Sequence, residues 1–257
     1  MNGKVNMVNK MYEYEYVSKK QYQPVREELE DIIKKVQDLV RDTFTFQFKL
    51  VGSGGRHLIT RIKDGNQGFD FDYNLILNPP KEANKIWNAK FARTTIKAAL
   101  EEAIKNTKYN KVSDTKSGIT IKVVDHKNSK ILHSCDFSVV YYPDIEDDGS
   151  KNSDNFYKYA RFDKSTSNIT WEIRNNSRNY DDKLEWLQDN LPNYWVIIKE
   201  EYLLVKNSNK DENKHSFQLY LEAVCNIFNQ FYNEDDDSEE DDYYYDDDAD
   251  DDDDYYD

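Results

Sequence analysis

Two aspartates, Asp70 and Asp72, lie two residues apart in a largely apolar and aromatic segment from Gly68 to Leu77. Side chains alternate between the two faces of a strand, so both carboxylates would project from one face, opposite the rings of Phe69, Phe71 and Tyr73. Two carboxylates on one face repel each other unless a cation joins them, and oxygen ligands at this spacing suit Mg²⁺. The segment therefore predicts a strand that carries a divalent-metal site.

A glycine-rich turn lies just upstream, in Val51-Gly52-Ser53-Gly54-Gly55. It follows an alternating segment, Phe44 to Leu50, which has the period of a strand. A turn that leaves a strand in this way exposes backbone N–H groups, and such groups bind phosphate without side-chain charge. We expect Gly52 and Ser53 to hold the outer phosphates of a nucleotide. Arg56 either assists those phosphates or is a solvated surface arginine.

A third carboxylate, Asp136, interrupts an apolar segment between Cys135 and Val140. An interior carboxylate needs a partner, because burying an isolated charge is costly. On a strand adjacent to Asp70 and Asp72, it would complete a set that holds two Mg²⁺ or Mn²⁺ ions, one activating an attacking hydroxyl and one stabilising a leaving pyrophosphate.

The elements that must position these residues follow from periodicity. An amphipathic helix is predicted from about Pro24 to Asp42, and another from Ala83 to Thr107. Strands are predicted at Ile119–Val124 and Ile131–Tyr141, and a hairpin is predicted for Phe156–Phe162 and Ile169–Arg174. Helices are predicted at Asp181–Asn190, about Pro192–Lys206 and about Lys214–Tyr232. The segment between the Gly-Ser turn and Gly68 has the character of a loop.

On these residues the chain resembles the nucleotidyltransferase superfamily of DNA polymerase β, including the bacterial relatives of oligoadenylate synthase. The shared pattern is an apolar residue and Gly-Ser, a gap, Asp-x-Asp on a strand and a third carboxylate on a later strand, here Val51-Gly52-Ser53, Asp70-Phe71-Asp72 and Asp136. The resemblance covers about Pro24 to Tyr142. It implies transfer of a nucleoside monophosphate from an NTP to a hydroxyl, with release of pyrophosphate. Lys199 and Lys206 of the C-terminal helices would either reach the triphosphate, as basic helix residues do in relatives, or lie on solvated faces.

The predicted fold class is α+β: a nucleotidyltransferase-type mixed sheet flanked by helices, a helical C-terminal lobe and a disordered acidic tail. The predicted divisions are a catalytic domain at residues 1–150, the hairpin and helical lobe at 151–233, and the tail at 234–257. The tail contains 17 acidic residues and no basic one, whereas the rest of the chain carries 35 basic and 33 acidic residues. The net charge of -15 therefore belongs to the tail.

The tail permits three interpretations. It is a solubilising segment, a decoy that covers a groove meant for nucleic-acid phosphates or contacts a basic partner, or a segment whose tyrosines accept nucleotides. No long apolar segment or secretory peptide is present, so we expect a cytoplasmic protein without a membrane partner. Cys135 and Cys225 are expected as free thiols, and the four histidines lack metal-ligand spacing.

The function predicted from the sequence is a metal-dependent nucleotidyltransferase with an NTP donor and a hydroxyl acceptor. A nucleotide or an RNA 3′ end is the favoured acceptor, and a protein side chain or a small hydroxylated compound is left open. The alternative is an inactive module of the same fold that binds a nucleotide or a partner protein, with the acidic tail as its interaction element. Retention of all three aspartates, Asp70, Asp72 and Asp136, favours the enzyme.

Overall fold

The computed structural model describes residues 12–82, 85–142, 156–175, 180–211 and 213–232. These residues fold into a mixed sheet flanked by helices, followed by a helical lobe, which confirms the predicted α+β class. Within the described residues, no helix combines the length and apolar character needed to cross a bilayer. The predicted boundary at residue 150 and the acidic tail lie outside the described residues.

Nine strands and six helices occur in the described part of the chain. The strands are β1 (Tyr14–Tyr16), β2 (Phe46–Val51), β3 (Thr60–Ile62), β4 (Phe69–Leu77), β5 (Val112–Asp114), β6 (Ile119–Asp125), β7 (Lys130–Tyr141), β8 (Phe156–Asp163) and β9 (Asn168–Asn175). The helices are α1 (Lys19–Val40), α2 (Gly52–Gly55), α3 (Ala89–Ala103), α4 (Asp181–Asn190), α5 (Tyr194–Ser208) and α6 (Ser216–Phe231).

The main sheet has the strand order β2-β4-β7-β6-β5, and the β8–β9 hairpin joins it through the end of β7. Strands β4 and β7 are parallel, whereas the other pairs are antiparallel. The hairpin that the sequence grouped with the C-terminal lobe thus extends the sheet. A separate two-stranded sheet joins β1 to β3.

One face of the main sheet is covered by α1 and α3. The odd-numbered residues of β4 and β7 point into this core, where Phe71, Cys135 and Phe137 are fully buried. Helix α1 supplies Leu29, Ile33 and Val36 from its apolar stripe, as its periodicity predicts. The even-numbered residues of β4 and β7 consequently lie on the opposite face, where the three aspartates are found.

Two helix starts differ from the predicted ones. Helix α1 begins at Lys19 rather than Pro24, because the Ser18 backbone N–H donates to the Gln21 side chain and caps an earlier turn. Helix α3 begins at Ala89 rather than Ala83: the Asn88 side chain accepts a hydrogen bond from the Phe91 N–H, which fixes the first turn. Residues 83–84 lie outside the described residues.

The expectation of a loop between the Gly-Ser turn and Gly68 is wrong in part. Residues Gly52–Gly55 form the short helix α2, and Thr60–Ile62 form β3. Periodicity misses both elements because each has at most four residues, and because β3 pairs with β1, far away in sequence. The ion pair between Arg61 and Glu15 joins these two strands at 2.7 Å.

Helices α4, α5 and α6 form a second core. It includes Ile198, Tyr202, Leu219 and Val224, together with Leu58 from the segment that follows α2. Leu58 is 1% exposed, so the chain between α2 and β3 is built into the helical lobe. This contact places the Gly-Ser turn at the junction of the sheet and the lobe.

Candidate functional site

The three aspartates predicted to act together lie together on the face of the sheet opposite α1 and α3. Asp72 and Asp136 are direct partners in the parallel register of β4 and β7, and Asp70 is paired with Ser134 in the same ladder. Adjacent strands lie about 4.8 Å apart, so the register alone makes the two carboxylates neighbours. Asp70 is exposed, whereas Asp72 and Asp136 are half-buried. We call these three residues the carboxylate wall.

Two hydroxyl groups orient the outer members of the carboxylate wall. The Ser134 Oγ donates a hydrogen bond to Asp70 Oδ1, and the Thr120 Oγ1 donates one to Asp136 Oδ1. Both donors come from cross-strand register positions, because Ser134 pairs with Asp70 and Thr120 pairs with Asp136. The same pleat that gathers the carboxylates therefore also supplies the groups that fix two of them.

The Gly-Ser turn directly adjoins Asp72. Val51 is the register partner of Asp72 in the β2–β4 pair, so Gly52 leaves the sheet beside that carboxylate. Gly52 has φ +61°, and a Cβ at this position would lie 2.5 Å from Asp72 Oδ2. Glycine is therefore required both by the backbone conformation and by the close approach of the carboxylate.

Burial, together with the crowding of negative charge, raises the pKa of two members of the carboxylate wall. Burial, followed by repulsion from Asp136 and Asp70, raises the pKa of Asp72 to about 7. Burial and repulsion from Asp70 raise the pKa of Asp136, against the hydrogen bond from Thr120, which lowers it. Like charges held this close favour protonation unless a cation neutralises them.

The carboxylate wall fits a hard divalent cation in its chemistry. All its donors are oxygens, the preference of Mg²⁺ and Mn²⁺, and the site retains an exposed member, Asp70. As the side chains stand in the described residues, no group of three acidic, histidine or cysteine side chains is closed around one point. The hydrogen bonds to Ser134 and Thr120 occupy two of the carboxylate oxygens in this arrangement.

A basic side chain of the helical lobe, Lys206, lies where the lobe meets the segment after α2. Its Nζ donates to Thr60 Oγ1 at 2.8 Å and lies 3.3 Å from both the Tyr202 hydroxyl and Ser216 Oγ. Among the described residues, no carboxylate forms an ion pair with it. Burial lowers the pKa of Lys206 to about 8, although the charge of Asp70 acts in the opposite direction.

This lysine lies among groups that suit an anion. Ser216 begins α6, and the backbone N–H groups of a helix N-terminus attract negative charge. Because the charge of Asp70 acts on Lys206, we group the residues around Lys206 with the Gly-Ser turn as the second side of the candidate site. We call Gly52, Ser53, Thr60, Lys206 and Ser216 the phosphate wall. Sequence reasoning considered Lys206 but missed Thr60 and Ser216, whose isolated hydroxyls carry no motif.

The other predicted candidates lie at defined positions around this site. The Arg56 guanidinium lies against α6, with its Nη1 donating to the Gly52 carbonyl at 3.1 Å. The Lys199 ammonium lies 5.6 Å from the centre of the Tyr16 ring. Cys135 and Cys225 are free thiols, as expected. His133 is buried against Tyr109 in the core behind the sheet, where burial lowers its pKa to about 4.

Comparison with known proteins gives a match at the level of structure. No protein-family model matches the chain, and no curated protein matches it by sequence. Among solved structures, the fold is similar to that of the CD-NTase CdnG of Bradyrhizobium diazoefficiens in complex with GTP, with 10% identity and a TM-score of 0.50 over 82% of this chain and 66% of that one.

The DncV proteins of two further bacteria give similar values. Escherichia coli DncV in its 3′-deoxy GTP bound form shares 15% identity at a TM-score of 0.50, covering 87% of this chain and 56% of that one. Vibrio cholerae DncV in its 3′-deoxy ATP bound form shares 16% identity at a TM-score of 0.51, covering 86% and 55%. The chain thus spans little more than half the length of these DncV chains. These likenesses confirm the predicted fold, a nucleotidyltransferase-type mixed sheet followed by a helical lobe.

Proposed function

From this fold and the geometry of the site, we propose that the chain is a metal-dependent nucleotidyltransferase that moves a nucleoside monophosphate from an NTP to a hydroxyl acceptor. The observation that carries the proposal is the direct register pairing of Asp72 with Asp136, with Asp70 on the same face and Gly52 against Asp72. The solved structures of similar fold hold GTP, 3′-deoxy GTP or 3′-deoxy ATP, which supports an NTP as donor.

The carboxylate wall would bind the metal, and the phosphate wall would bind the triphosphate. Asp70, Asp72 and Asp136 would hold Mg²⁺ or Mn²⁺, which when bound supply activation of the attacking hydroxyl and neutralisation of the leaving group. The backbone N–H groups of Gly52 and Ser53 and the ammonium of Lys206 would hold the triphosphate. Holding the donor and acceptor in this geometry lets the acceptor oxygen bond to the α-phosphorus while the bond to pyrophosphate breaks.

We propose a nucleotide or an RNA 3′ end as the acceptor, because both offer a ribose hydroxyl; the choice rests on analogy with the nucleotidyltransferase fold. For the tail, residues 234–257, the interpretations from the sequence stand as proposals: a solubilising segment, a cover for a groove meant for nucleic-acid phosphates or a contact for a basic partner, or an acceptor of nucleotides through its tyrosines. Deleting it and measuring nucleic-acid affinity at low salt separates the cover from the solubilising segment.

The experiment that tests the function is pyrophosphate release from each of the four NTPs with Mg²⁺ or Mn²⁺, with and without RNA. Wild type is compared with Asp70→Asn and with Asp189→Asn, which changes an exposed aspartate of α4. We expect release that requires the metal and Asp70 and is unaffected at Asp189. Nucleotide binding without release, under every condition, would instead favour the inactive nucleotide-binding module.

A further inference from the structure

Arg56 connects the Gly-Ser turn to helix α6 of the C-terminal lobe. One end of its guanidinium donates a hydrogen bond to the Gly52 carbonyl at 3.1 Å. The guanidinium carbon lies 4.8 Å from the centre of the Phe217 ring and 5.1 Å from that of Tyr220, within the range of cation–π attraction. The charge thus lies against two rings rather than in open solvent.

The rings that receive Arg56 are themselves held in place. Phe217 and Tyr220 stack with their centres 6.3 Å apart, and Tyr180 packs edge-on against both, at 5.8 and 5.9 Å. Tyr220 is 3% exposed and belongs to the core of the helical lobe. Arg56 therefore contacts a rigid surface, which is what a positioning contact requires.

The turn that Arg56 contacts has little stability of its own. Helix α2 has the sequence Gly-Ser-Gly-Gly, and glycine is among the least favourable residues in a helix. A single turn is also too short to be stable without tertiary contacts. Such contacts come from Arg56 at its C-terminal end and from Leu58, whose N–H donates to the Ser53 carbonyl at 2.8 Å while its side chain is buried in the lobe.

We propose that Arg56 is a positioning residue that fixes the Gly52–Gly55 turn against α6, so that the turn is preformed for the donor phosphates. This role differs from both alternatives that the sequence left open, a phosphate contact and a solvated surface arginine, and it rests on the proposed function. It needs arginine in particular: a guanidinium can stack on rings and donate in its plane at the same time, whereas a lysine ammonium is a point charge without that plane.

A double-mutant cycle tests the proposal. The variants are Arg56→Met, Phe217→Leu and their combination, with Phe228→Leu as the matched control, because Phe228 lies on the same helix and receives a different cation, Lys183, at 5.0 Å. We expect each single change to raise KM for the NTP about tenfold with kcat within about threefold. KM of the double variant should be at most about twofold above that of either single variant, since both changes remove the same Arg56–Phe217 contact.

The alternative of a direct phosphate contact gives a different pattern. It predicts that Phe217→Leu leaves KM unchanged and that Arg56→Lys, which keeps the charge, behaves nearly as wild type. Either result would overturn the positioning role. Under the positioning role Arg56→Lys resembles Arg56→Met.

Hydrogen exchange makes the inference independent of turnover. Amides of residues 52–57 should exchange at least about tenfold faster in Arg56→Met and in Phe217→Leu than in wild type or Phe228→Leu, because the turn then opens more often. Unchanged exchange in Arg56→Met would overturn the inference. Absence of pyrophosphate release from wild type would refute the proposed function. The exchange rates would still decide whether Arg56 fixes the turn against α6.

Discussion

The two walls of the candidate site are built in different ways. The carboxylate wall comes from one pair of parallel strands, and the register of β4 and β7 brings its members together. The phosphate wall joins Thr60 to Lys206 across 146 positions of sequence and depends on how the helical lobe packs. Residues brought together by strand register are held rigidly, and the alternation of the sequence predicts their common face. Residues brought together by packing between separate elements depend on every contact that holds those elements.

The largest effect is expected where the two walls meet, at Gly52. In Gly52→Ala, the new Cβ would lie 2.5 Å from Asp72 Oδ2, at a backbone φ of +61° that alanine disfavours. The turn or the carboxylate must move, and displacements near 1 Å at a reacting centre cost about 10²-fold in rate. We expect kcat/KM for pyrophosphate release to fall by at least about that factor.

Gly54→Ala is the control in the same turn. The nearest atoms to a Cβ there would belong to the Leu50 and Phe71 side chains, at 3.1 and 3.2 Å, rather than to Asp72. Thermal unfolding should register this change more than turnover does. Equal losses of turnover in Gly52→Ala and Gly54→Ala would contradict a specific junction at Gly52.

The second effect concerns the phosphate wall alone. Lys206→Met removes the only ammonium that hydrogen-bonds Thr60 and Ser216 among the described residues. A charge-assisted hydrogen bond is worth about 2 kcal/mol, so KM for the NTP should rise about 30-fold while metal dependence stays unchanged. Lys199→Met, on the same helix, is the control and should leave KM within about twofold. A shift in the Mg²⁺ requirement with Lys206→Met would show that the two walls are not separate.

The contrast between the walls also explains what the sequence reveals. Alternation along β4 and β7 is enough to place Asp70, Asp72 and Asp136 on one face, because the side-chain period of a strand is fixed at two. Strand β3 and its partner β1 are three residues each, too short for a periodic signal. Lys206 lies at helical spacing that fits either a solvated or a buried face, and only packing against Thr60 decides it.

A smaller effect tests whether the hydroxyls of the sheet fine-tune the carboxylate wall. Thr120→Val and Ser134→Ala remove the donors to Asp136 and Asp70 without removing a carboxylate. Partners that orient metal ligands typically contribute 10–100-fold in metal affinity or activity, so we expect about tenfold more Mg²⁺ for half-maximal turnover. Thr120→Ser keeps the hydroxyl and should restore the wild-type requirement. An unchanged Mg²⁺ requirement in both variants would show that these hydroxyls do not orient the carboxylates for the metal.

The smallest expected effect is a pH dependence that arises from Lys206 of the phosphate wall. Its sign is opposite for stability and for nucleotide affinity. Burial lowers the pKa of Lys206 to about 8 from its ordinary value of 10.5, so in the folded protein the ammonium loses its proton well before it does in the unfolded chain. Between about pH 8 and 10.5 the unfolded state therefore binds more protons, and the contribution of Lys206 to the free energy of unfolding rises with pH. Nucleotide affinity should move the opposite way over the start of that window, because the neutral amine no longer attracts phosphate.

Titrating ATP binding from pH 7.5 to 9.5, where the triphosphate stays fully ionised, should show a several-fold loss of affinity in wild type. The loss should be much smaller in Lys206→Met, where Asp72, whose pKa burial raises to about 7, completes its deprotonation near the start of the range. In urea unfolding over the same pH range, the free energy of unfolding of wild type should rise relative to that of Lys206→Met. Affinity and stability that rise or fall together with pH would mean that Lys206 does not face the bound phosphates, and the phosphate wall would then have to be sought without it.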